Sequence, residues 1–355
     1  MRLLLCVEFY FPSRGGAQEV VRQLAEKLAA QGHQVTVATS QIQTRKLREY
    51  KGVRIEEFAV SGNQVRGLVG EVDRYRNFLV EGDYDLTFFY AAQQWTFDAA
   101  WSVINRIRGK KVFVPCGYSG LYEPQYKKYF EGLPSILRKF DCVVYHAVNY
   151  RDYEFGVRHG INRFQIIPNG ADDQEFAVTR DSGFRQRFGI ADDALFLLTV
   201  GTLTGQKGHL ELAKAFDLAS FPNRCAVLML NGNTPALNGI QANTFLRVLS
   251  LIKEYGWRYA TKHFLKQLLW ATGIRVGKAG SIAEWTDKIN AQHNQNKRVI
   301  LCDLPRLELI QAYLNADLFV FASNVEYSPL VLFEACAAGV PFLSVPVGNS
   351  VEIAA

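Results

Sequence analysis

Two glutamates near the C-terminal end of the sequence are spaced so that they could hold a sugar nucleotide. Glu326 and Glu334 have seven residues between them and lie on either side of a predicted helix start. Ser328 suits the N-cap of that helix and Pro329 its first position, where the missing N–H costs nothing. The unpaired N–H groups of a helix N-terminus favour a diphosphate. One carboxylate could then approach a sugar while the other accepts hydrogen bonds from ribose hydroxyls. The simpler alternative is an apolar core helix with two unrelated glutamates.

A glycine pair near the N-terminal end could bring the backbone close to a phosphate. Gly15 and Gly16 follow the first predicted strand and precede the first predicted helix. Glycine lets the backbone approach an anion closely, and the helix directs its N–H groups to the same place. The turn lacks the G-x-G-x-x-G spacing, so it does not indicate a dinucleotide site. A plain tight turn explains the pair about equally well.

Strand-like and helix-like stretches alternate along the whole sequence, which indicates two α/β domains. A first helix is predicted at Ala17–Gln31, with Gly32 as its C-cap. Apolar runs predict strands at Leu3–Phe9, Val35–Thr39, Val53–Val60, Leu86–Ala91, Val112–Cys116, Val143–Ala147, Gln165–Pro168, Leu195–Gly201, Ala226–Gly232, Val299–Asp303, Leu318–Ser323 and Phe342–Val347. Such strands indicate parallel sheets covered on both faces. We therefore expect two Rossmann-like domains, 1–175 and 176–355, that face a cleft in which ligands bind at the carboxyl ends of the strands.

The composition is that of an ordinary globular protein. The 355 residues exceed one small core, and 48% hydrophobic with 21% charged residues fits a soluble chain. The six cysteines form no C-x-x-C pair, which argues against zinc or disulfides and favours a reducing cytoplasm. Neither a signal peptide nor an apolar run of about 20 residues is visible. We therefore expect a cytoplasmic protein that does not cross a membrane.

These motifs together resemble the retaining glycosyltransferases of family 4 (group 1), which have the GT-B fold. The resemblance rests on the glutamate motif within residues 324–341 and on Phe11–Ala17 with Gly32–Val37, and it covers almost the whole sequence. It implies transfer of a sugar from a nucleoside diphosphate sugar to an acceptor hydroxyl, with retention of anomeric configuration. Glu326 would contact the donor sugar and Glu334 the ribose. The diphosphate would lie against Gly15, Gly16, Lys207 and the backbone at Ser328, Leu330 and Val331.

The loop Val200–His209 carries a lysine that matches a diphosphate-binding lysine of this family. Lys207 occupies that position, and the resemblance assigns it a catalytic role together with Glu326. The family also has an arginine in this loop, next to the glycine after the strand. Thr202 stands there instead, which leaves one fewer fixed positive charge for the departing diphosphate. The alternative for Lys207 is a solvated loop lysine.

A histidine that this family often places beside the donor sugar has no counterpart. The corresponding stretch is Pro115–Tyr118, in which Cys116 or Tyr118 could line the sugar pocket instead. His146 ends another predicted strand. We expect it to be packed or at the surface rather than catalytic.

A D-x-D sequence raises the possibility of a metal. Metal-dependent glycosyltransferases of the other major fold hold Mn²⁺ or Mg²⁺ with such a sequence, here Asp83-Tyr84-Asp85. We interpret it as a polar turn ahead of the strand Leu86–Ala91. GT-B enzymes stabilise the leaving diphosphate with cationic side chains and helix dipoles, so we expect no metal and no cofactor besides the donor substrate.

A basic helical insert is predicted at about residues 234–297. Within Phe245–Lys278 seven basic residues stand against one acidic residue, a balance that equals the net charge of +6 for the whole chain. Basic and aromatic residues at helical spacing suit an anionic membrane surface. A helical hairpin packed on the second domain is the alternative, and nucleic acid is disfavoured because no binding motif accompanies the charge. The expected acceptor is a glycan or lipid-linked glycan, and the protein could lie peripherally on the inner face of a membrane.

In the family another βα stretch and a final helix usually follow, so the resemblance leads us to expect that the sequence, which ends at Ala355, is truncated relative to that pattern. Together with Thr202 and the absent histidine, this truncation leaves a second reading open. The chain could be a catalytically weak or silent family member that binds sugar nucleotides or serves as a partner subunit. A sugar-nucleotide epimerase or a nicotinamide oxidoreductase is a third reading.

Overall fold

The structure, a computed structural model, describes residues 1–13, 15–203, 205–232, 281–291 and 296–355. Most of the predicted basic insert, including Phe245–Lys278, lies outside the described residues. The chain forms two compact units. The first comprises Met1–Gly170, Glu326–Leu330 and Gly348–Ala355, and the second comprises Ala171–Val325 and Val331–Val347.

The first unit is built on an eight-stranded sheet with a separate two-stranded hairpin. Its strands are β1 (Arg2–Cys6), β2 (Gln34–Ser40), β3 (Glu49–Tyr50), β4 (Val53–Phe58), β5 (Val60–Asn63), β6 (Gly67–Gly70), β7 (Leu86–Tyr90), β8 (Lys110–Val114), β9 (Cys142–Tyr145) and β10 (Phe164–Ile166). The order in the large sheet is β10-β9-β8-β7-β1-β2-β4-β3. All neighbours are parallel except β3 and β4, and β5 pairs with β6 in antiparallel fashion.

Helices cover both faces of this sheet, as its apolar strands require. They are α1 (Gly16–Ala30), α2 (Val72–Glu81), α3 (Trp95–Asp98), α4 (Lys127–Leu137) and α5 (Arg151–Arg158), with 3₁₀ turns at Ile104–Arg106 and Pro124–Tyr126. An aliphatic core that includes Leu5, Val21 and Val37 lies on one face. An aromatic core lies on the other, where Phe97 stacks on Phe113 with ring centroids 4.0 Å apart.

The second unit is a smaller sheet of the same kind. Its elements are α6 (Asp173–Phe176), α7 (Phe184–Arg187), β11 (Leu195–Val200), α8 (His209–Leu218), β12 (Ala226–Asn231), α9 (Ile282–Ala291), β13 (Lys297–Cys302), α10 (Arg306–Asn315), β14 (Leu318–Phe321), α11 (Leu330–Ala337) and β15 (Phe342–Ser344). The strand order is β13-β12-β11-β14-β15, and every pair is parallel. The last helix of the chain, α12 (Ser350–Ala354), belongs to the first unit.

Both sheets confirm the predicted alternation, with differences at the ends of elements. Gly32 ends α1 with φ +85°, and its N–H bonds to the carbonyl of Ala29 at 2.9 Å, as a helix C-terminal glycine should. The predicted strand Val53–Val60 is confirmed over Val53–Phe58 and corrected in its last two residues, because the pairing ends at Phe58 and a separate hairpin strand begins at Val60. Within the described ranges, no helix is both long enough and apolar enough to cross a membrane.

Each sheet has one position where the strand order reverses direction. In the first unit it lies between β1 and β7, and in the second between β11 and β14. In open α/β sheets the connections leave in opposite directions at such a point, which opens a crevice at the carboxyl ends of the strands. The residues that follow these strands are therefore the candidates for a ligand site.

Candidate functional site

The loop between β11 and α8 is packed against the end of β14, at the strand reversal of the second sheet. The carbonyl of Gln206 accepts hydrogen bonds from the N–H of Asn324 at 2.8 Å and the hydroxyl of Ser323 at 3.3 Å. Gly208 has φ +70°, and a Cβ at this position would overlap the carbonyl oxygen of Ala322. Glycine is therefore required at position 208 both by its backbone angle and by this close contact.

Lys207 lies in this loop beside the first residue of α8. Its Cβ and Cγ are each 3.3 Å from where a Cβ of Gly201 would be, and Cε1 of His209 is at the same distance. His209 is 3% exposed, and neither of its ring nitrogens has a hydrogen-bond partner among the described residues. Burial, and then the charge of Lys207, lowers the pKa of His209 to about 4. A lysine, a neutral imidazole and the N–H groups of a helix start thus occur together, an arrangement that suits an anion.

Glu334 lies inside α11 and is held by two side chains of the same unit. Its Oε1 is 2.6 Å from Nη1 of Arg306, and its Oε2 accepts a hydrogen bond from the hydroxyl of Tyr313 at 2.9 Å. Glu334 is 7% exposed. Burial raises the pKa of Glu334, and Arg306 opposes that rise. The sequence prediction, a carboxylate turned toward ribose, did not anticipate either partner.

A signal for Arg306 was present in the sequence. It follows Pro305 as the first residue of α10, and a cation in the first turn of a helix is opposed by the helix dipole. An acidic partner offsets this unfavourable interaction. Arg306 has two, because its Nη2 also lies 2.5 Å from Glu175.

The helix that follows the loop of Glu326 begins at Leu330, one residue later than predicted. Leu330 and Val331 are therefore its first two residues. Ser328 is buried, and its hydroxyl accepts a hydrogen bond from Nδ2 of Asn349 at 3.1 Å. Its carbonyl accepts one from Nδ2 of Asn169 at 3.0 Å. The prediction that Ser328 caps the helix is therefore corrected: its hydroxyl and carbonyl are held by Asn349 and Asn169, which are distant in the sequence.

Glu326 is half-buried and belongs to the first unit, next to Tyr327. The phenol of Tyr327 accepts a hydrogen bond from the N–H of His146 at 2.9 Å and is bonded to the carboxylate of Asp152. Asp152 is fully buried, which raises its pKa to about 6. The carbonyl of Tyr327 accepts the N–H of Asn349 at 2.8 Å. Tyr327 thus fixes the backbone on which Glu326 is carried.

The two glycines predicted to approach a phosphate stand at the start of α1. Gly16 is its first residue, and a Cβ there would meet nothing within 4 Å. A Cβ on Gly15 would meet only the flexible end of Gln18. The preceding loop is held by Arg45, which donates from Nε to the carbonyl of Phe11 at 2.6 Å and from Nη2 to that of Tyr10 at 2.9 Å. Arg45 was not predicted to have this role.

The residues weighed for the sugar pocket lie at the carboxyl ends of β8 and β9. Cys116 and Tyr118 have φ of +59° and +48°, an uncommon backbone that is often found near functional sites. Tyr118 is fully buried, and burial raises the pKa of the Cys116 thiol to about 12. His146 is packed, as expected. Its Nδ1 lies 2.7 Å from the carbonyl of Ile167, and burial lowers its pKa.

The D-x-D sequence lies in the short connection between α2 and β7, at the amino end of that strand. Asp83 and Asp85 both form ion pairs with Arg2, and the N–H of Arg2 donates to Asp85 at 2.7 Å. This edge of the sheet is opposite to the carboxyl ends. Across the described part of the chain, no group of three or more His, Cys, Asp or Glu residues is arranged to hold a metal ion.

Two family models match the sequence. The model described as Glycosyltransferase Family 4 matches residues 14–175, and the one described as Glycosyl transferases group 1 matches residues 276–355. Together the matches cover most of the first unit and the C-terminal part of the second. No curated protein matches the chain significantly.

Solved structures share the fold at low sequence identity. A sucrose-phosphate synthase from Thermosynechococcus elongatus aligns with a TM-score of 0.64 at 17% identity, over 98% of this chain and 82% of that one. HepE from Anabaena, in complex with UDP and glucose, aligns with a TM-score of 0.60 at 16% identity, over 99% of this chain and 82% of HepE. WaaG, a glycosyltransferase involved in lipopolysaccharide biosynthesis, aligns with a TM-score of 0.58 at 18% identity, over 99% of this chain and 83% of WaaG. The fold is GT-B.

Proposed function

Because the chain belongs to the group 1 (family 4) glycosyltransferases, we propose that it transfers a sugar from a nucleoside diphosphate sugar to an acceptor hydroxyl with retention of configuration. The observation that carries this proposal is the loop of Lys207. It lies at the strand reversal of the second sheet, next to the start of α8, and combines a cation with the N-terminus of a helix. The binding of UDP by a protein of the same fold makes uridine diphosphate sugars the first donors to test.

The proposed roles follow from the chemistry of the side chains. Lys207 and the first N–H groups of α8 would neutralise the charge that develops on the leaving diphosphate, a form of stabilisation that needs no metal. Glu334 would accept hydrogen bonds from the ribose hydroxyls. Glu326 would contact the donor sugar and orient it for attack on the same face from which the diphosphate leaves.

The test is binding and turnover of UDP-sugars by the wild type and a Lys207→Ala variant. A ligand that binds the native state raises its melting temperature in a thermal-shift screen. Loss of a charge-assisted contact of about 1.5–3 kcal/mol should weaken binding or turnover roughly 10- to 150-fold. Lys214→Ala is the matched control, because Lys214 lies on α8, the helix that follows the loop of Lys207, and its Nζ is 5.6 Å from the Trp285 ring. Equal loss in both variants would remove Lys207 from the proposed site.

Independence from metal is tested separately. Transfer should persist in EDTA, since the proposed charge neutralisation uses Lys207 and helix N–H groups. Activity that is lost with EDTA and restored by Mn²⁺ would contradict this part of the proposal.

We further propose that the acceptor is a glycan or lipid-linked glycan of cell-surface polysaccharide or glycolipid assembly, used by a cytoplasmic protein at the inner face of a membrane. The support is the basic and aromatic pattern of Phe245–Lys278, which lies outside the described residues. Each basic residue near an anionic surface contributes about 1 kcal/mol. The protein should therefore sediment with vesicles that contain anionic lipid and not with neutral ones. Changing Lys253, Arg258, Lys262 and Lys266 to Gln should reduce that binding; equal, negligible sedimentation of both proteins would refute it.

One observation favours a second candidate function, a sugar-nucleotide-binding subunit with weak or no activity. Thr202 stands where the family has an arginine, so the proposed site has one fewer cation. Binding of a nucleoside diphosphate sugar without transfer or hydrolysis would support this candidate. Turnover at an ordinary enzymatic rate, about 1 s⁻¹ or faster, would exclude it.

A further inference from the structure

A buried network in the second unit joins the proposed ribose carboxylate to two residues from another helix. Arg306 and Tyr313 both lie on α10, and each binds a different oxygen of Glu334, at 2.6 Å and 2.9 Å. Arg306 also pairs with Glu175 at 2.5 Å, so its guanidinium joins two acids. Glu334 and Tyr313 are buried, and the Arg306 side chain is one-third exposed. The carboxylate is therefore restrained from both of its oxygens.

Arg306 reaches this position because its helix begins at the carboxyl edge of the sheet. The buried side chain of Asn231, at the end of β12, accepts the N–H of Leu304 at 2.8 Å. Leu304 lies between β13 and α10, and Pro305 then precedes the first turn. This bond fixes the segment from which Arg306 extends. The arginine is thus located at the edge of the sheet where ligands of such folds bind.

We propose that Arg306 is a positioning residue for nucleotide recognition, which holds the Glu334 carboxylate charged and in one orientation for the ribose hydroxyls. The inference rests on the proposed function. A carboxylate has about four acceptor positions, and Arg306 and Tyr313 occupy one on each oxygen. One further position on each oxygen is left for a ribose hydroxyl. Without the guanidinium, a buried carboxylate takes up a proton more readily and rotates more freely, so it is a poorer acceptor.

The alternative is that Arg306 competes with the nucleotide for the Glu334 carboxylate. If Arg306 held Glu334 away from the ligand, its removal would release the carboxylate and strengthen nucleotide binding. The direction of the change in affinity therefore separates positioning from competition.

The first experiment compares UDP with 2′,3′-dideoxy-UDP by calorimetry. In the wild type, loss of the ribose hydroxyls should weaken binding roughly 10- to 100-fold, because hydrogen bonds to a charged group are strong. The ratio of the dissociation constant of the dideoxy compound to that of UDP measures this effect. In Arg306→Gln the ratio should fall close to its value in Glu334→Gln, while affinity for the dideoxy compound stays nearly constant. Arg306→Lys should recover part of the ratio.

Arg185→Lys is the matched control for this comparison. Arg185 is a buried arginine of the same unit that binds the carbonyl of Asn315 at 3.0 Å and Asp317 at 3.1 Å. Its substitution should lower stability and leave the ratio unchanged. An unchanged ratio in Arg306→Gln, or tighter binding of UDP by that variant, overturns the inference while the proposed function stands.

A second experiment needs no ligand. Urea unfolding of Arg306→Gln, Glu334→Gln and the double variant completes a double-mutant cycle. The double variant should be less destabilised than the sum of the single variants. If the Arg306→Gln effect is the same with Glu or Gln at position 334, the two residues are not coupled and the inference fails. If the wild type binds no UDP, the proposed uridine donor fails, and this cycle still decides whether Arg306 holds Glu334.

Discussion

The phenol of Tyr327 donates a hydrogen bond to the carboxylate of Asp152, which is fully buried in the first unit. The two residues are far apart in the sequence. Asp152 also accepts the N–H of Gly117 at 3.0 Å, at the carboxyl end of β8. The bond therefore ties the segment Glu326–Leu330 to the first unit, although the strand before it and the helix after it belong mainly to the second.

Replacing Tyr327 with Phe should destabilise the first unit by about 1–3 kcal/mol, because a buried carboxylate loses a donor and the N–H of His146 loses its acceptor. Burial already raises the pKa of Asp152 to about 6, above the value of about 3.9 for an unfolded chain. Because the folded pKa of Asp152 is the higher one, the free energy of unfolding falls as pH rises from about 4 to about 6. Removal of the phenol donor raises the folded pKa further, so this fall continues to higher pH. Urea unfolding should thus show a larger deficit at pH 8 than at pH 5.

The control for this prediction is Tyr150→Phe. The Tyr150 hydroxyl accepts a hydrogen bond from Arg151 at 3.2 Å, and its ring centroid lies 4.7 Å from that of Tyr327. Loss of this hydroxyl should change stability little. A deficit equal to that of Tyr327→Phe, or one that does not depend on pH, would show that the bond to Asp152 is not responsible.

Gly208→Ala should cost about 3 kcal/mol or more, since it adds a clash with the Ala322 carbonyl to the strain of a left-handed backbone. Gly205→Ala is the matched comparison: its φ is +80°, but a Cβ there would meet nothing within 4 Å. It should cost only about 1 kcal/mol. Denaturant midpoints of the two variants measure the difference. Similar losses would mean that the loop of Lys207 does not pack on β14 as described.

Gly16→Ala should preserve stability and weaken the binding of UDP. The added methyl meets no neighbour and the position is helical, so the fold tolerates it. If the backbone at Gly16 approaches a phosphate, the same methyl occupies the required space. Gly32→Ala should behave in the opposite way, with strain of about 1 kcal/mol from φ +85° and unchanged binding. Thermal unfolding and calorimetry measure both properties, and full UDP affinity in Gly16→Ala would leave the turn as a structural element.

Asp98→Asn should flatten the pH dependence of stability between about pH 4 and pH 7. Burial raises the pKa of Asp98 to about 7, although the N–H of Gln64 and the hydroxyl of Tyr129 bind its carboxylate. The folded state holds the proton more tightly than the unfolded chain, so wild-type stability falls as pH rises through this interval. An amide does not titrate, and the fall should therefore diminish.

Asp85→Asn is the comparison variant, because Asp85 affects the pH dependence of stability in the opposite direction to Asp98. The N–H of Arg2 lowers the pKa of Asp85, so this residue contributes stability that is lost as pH falls through its folded pKa. Its substitution should reduce acid sensitivity and leave the fall between pH 4 and pH 7 intact. Parallel wild-type and Asp98→Asn curves in urea unfolding would contradict the assignment to Asp98.

The local pattern of the sequence determined the kind of fold and the candidate residues. Apolar runs such as Leu195–Val200 and the helical spacing of Gly16–Ala30 depend on near neighbours, and those neighbours are visible in the sequence. Gly32 ends its helix for the same local reason. The glutamate motif and the loop of Lys207 were equally visible, since each lies within one short segment.

Only the tertiary structure decided which distant residues meet. The hairpin of β5 and β6 depends on Gly62 and Gly70, whose positive φ and close carbonyl contacts no apolar pattern reveals. The partners of Glu334 lie on another helix, and His146 and Asp152, which contact Tyr327 within the first unit, lie far from it in the sequence. Such pairings are set by packing and by the need to satisfy buried charges, because an unpaired carboxylate in the interior is costly. The sequence could thus name Glu334, whereas the structure alone showed that Arg306 and Tyr313 hold it.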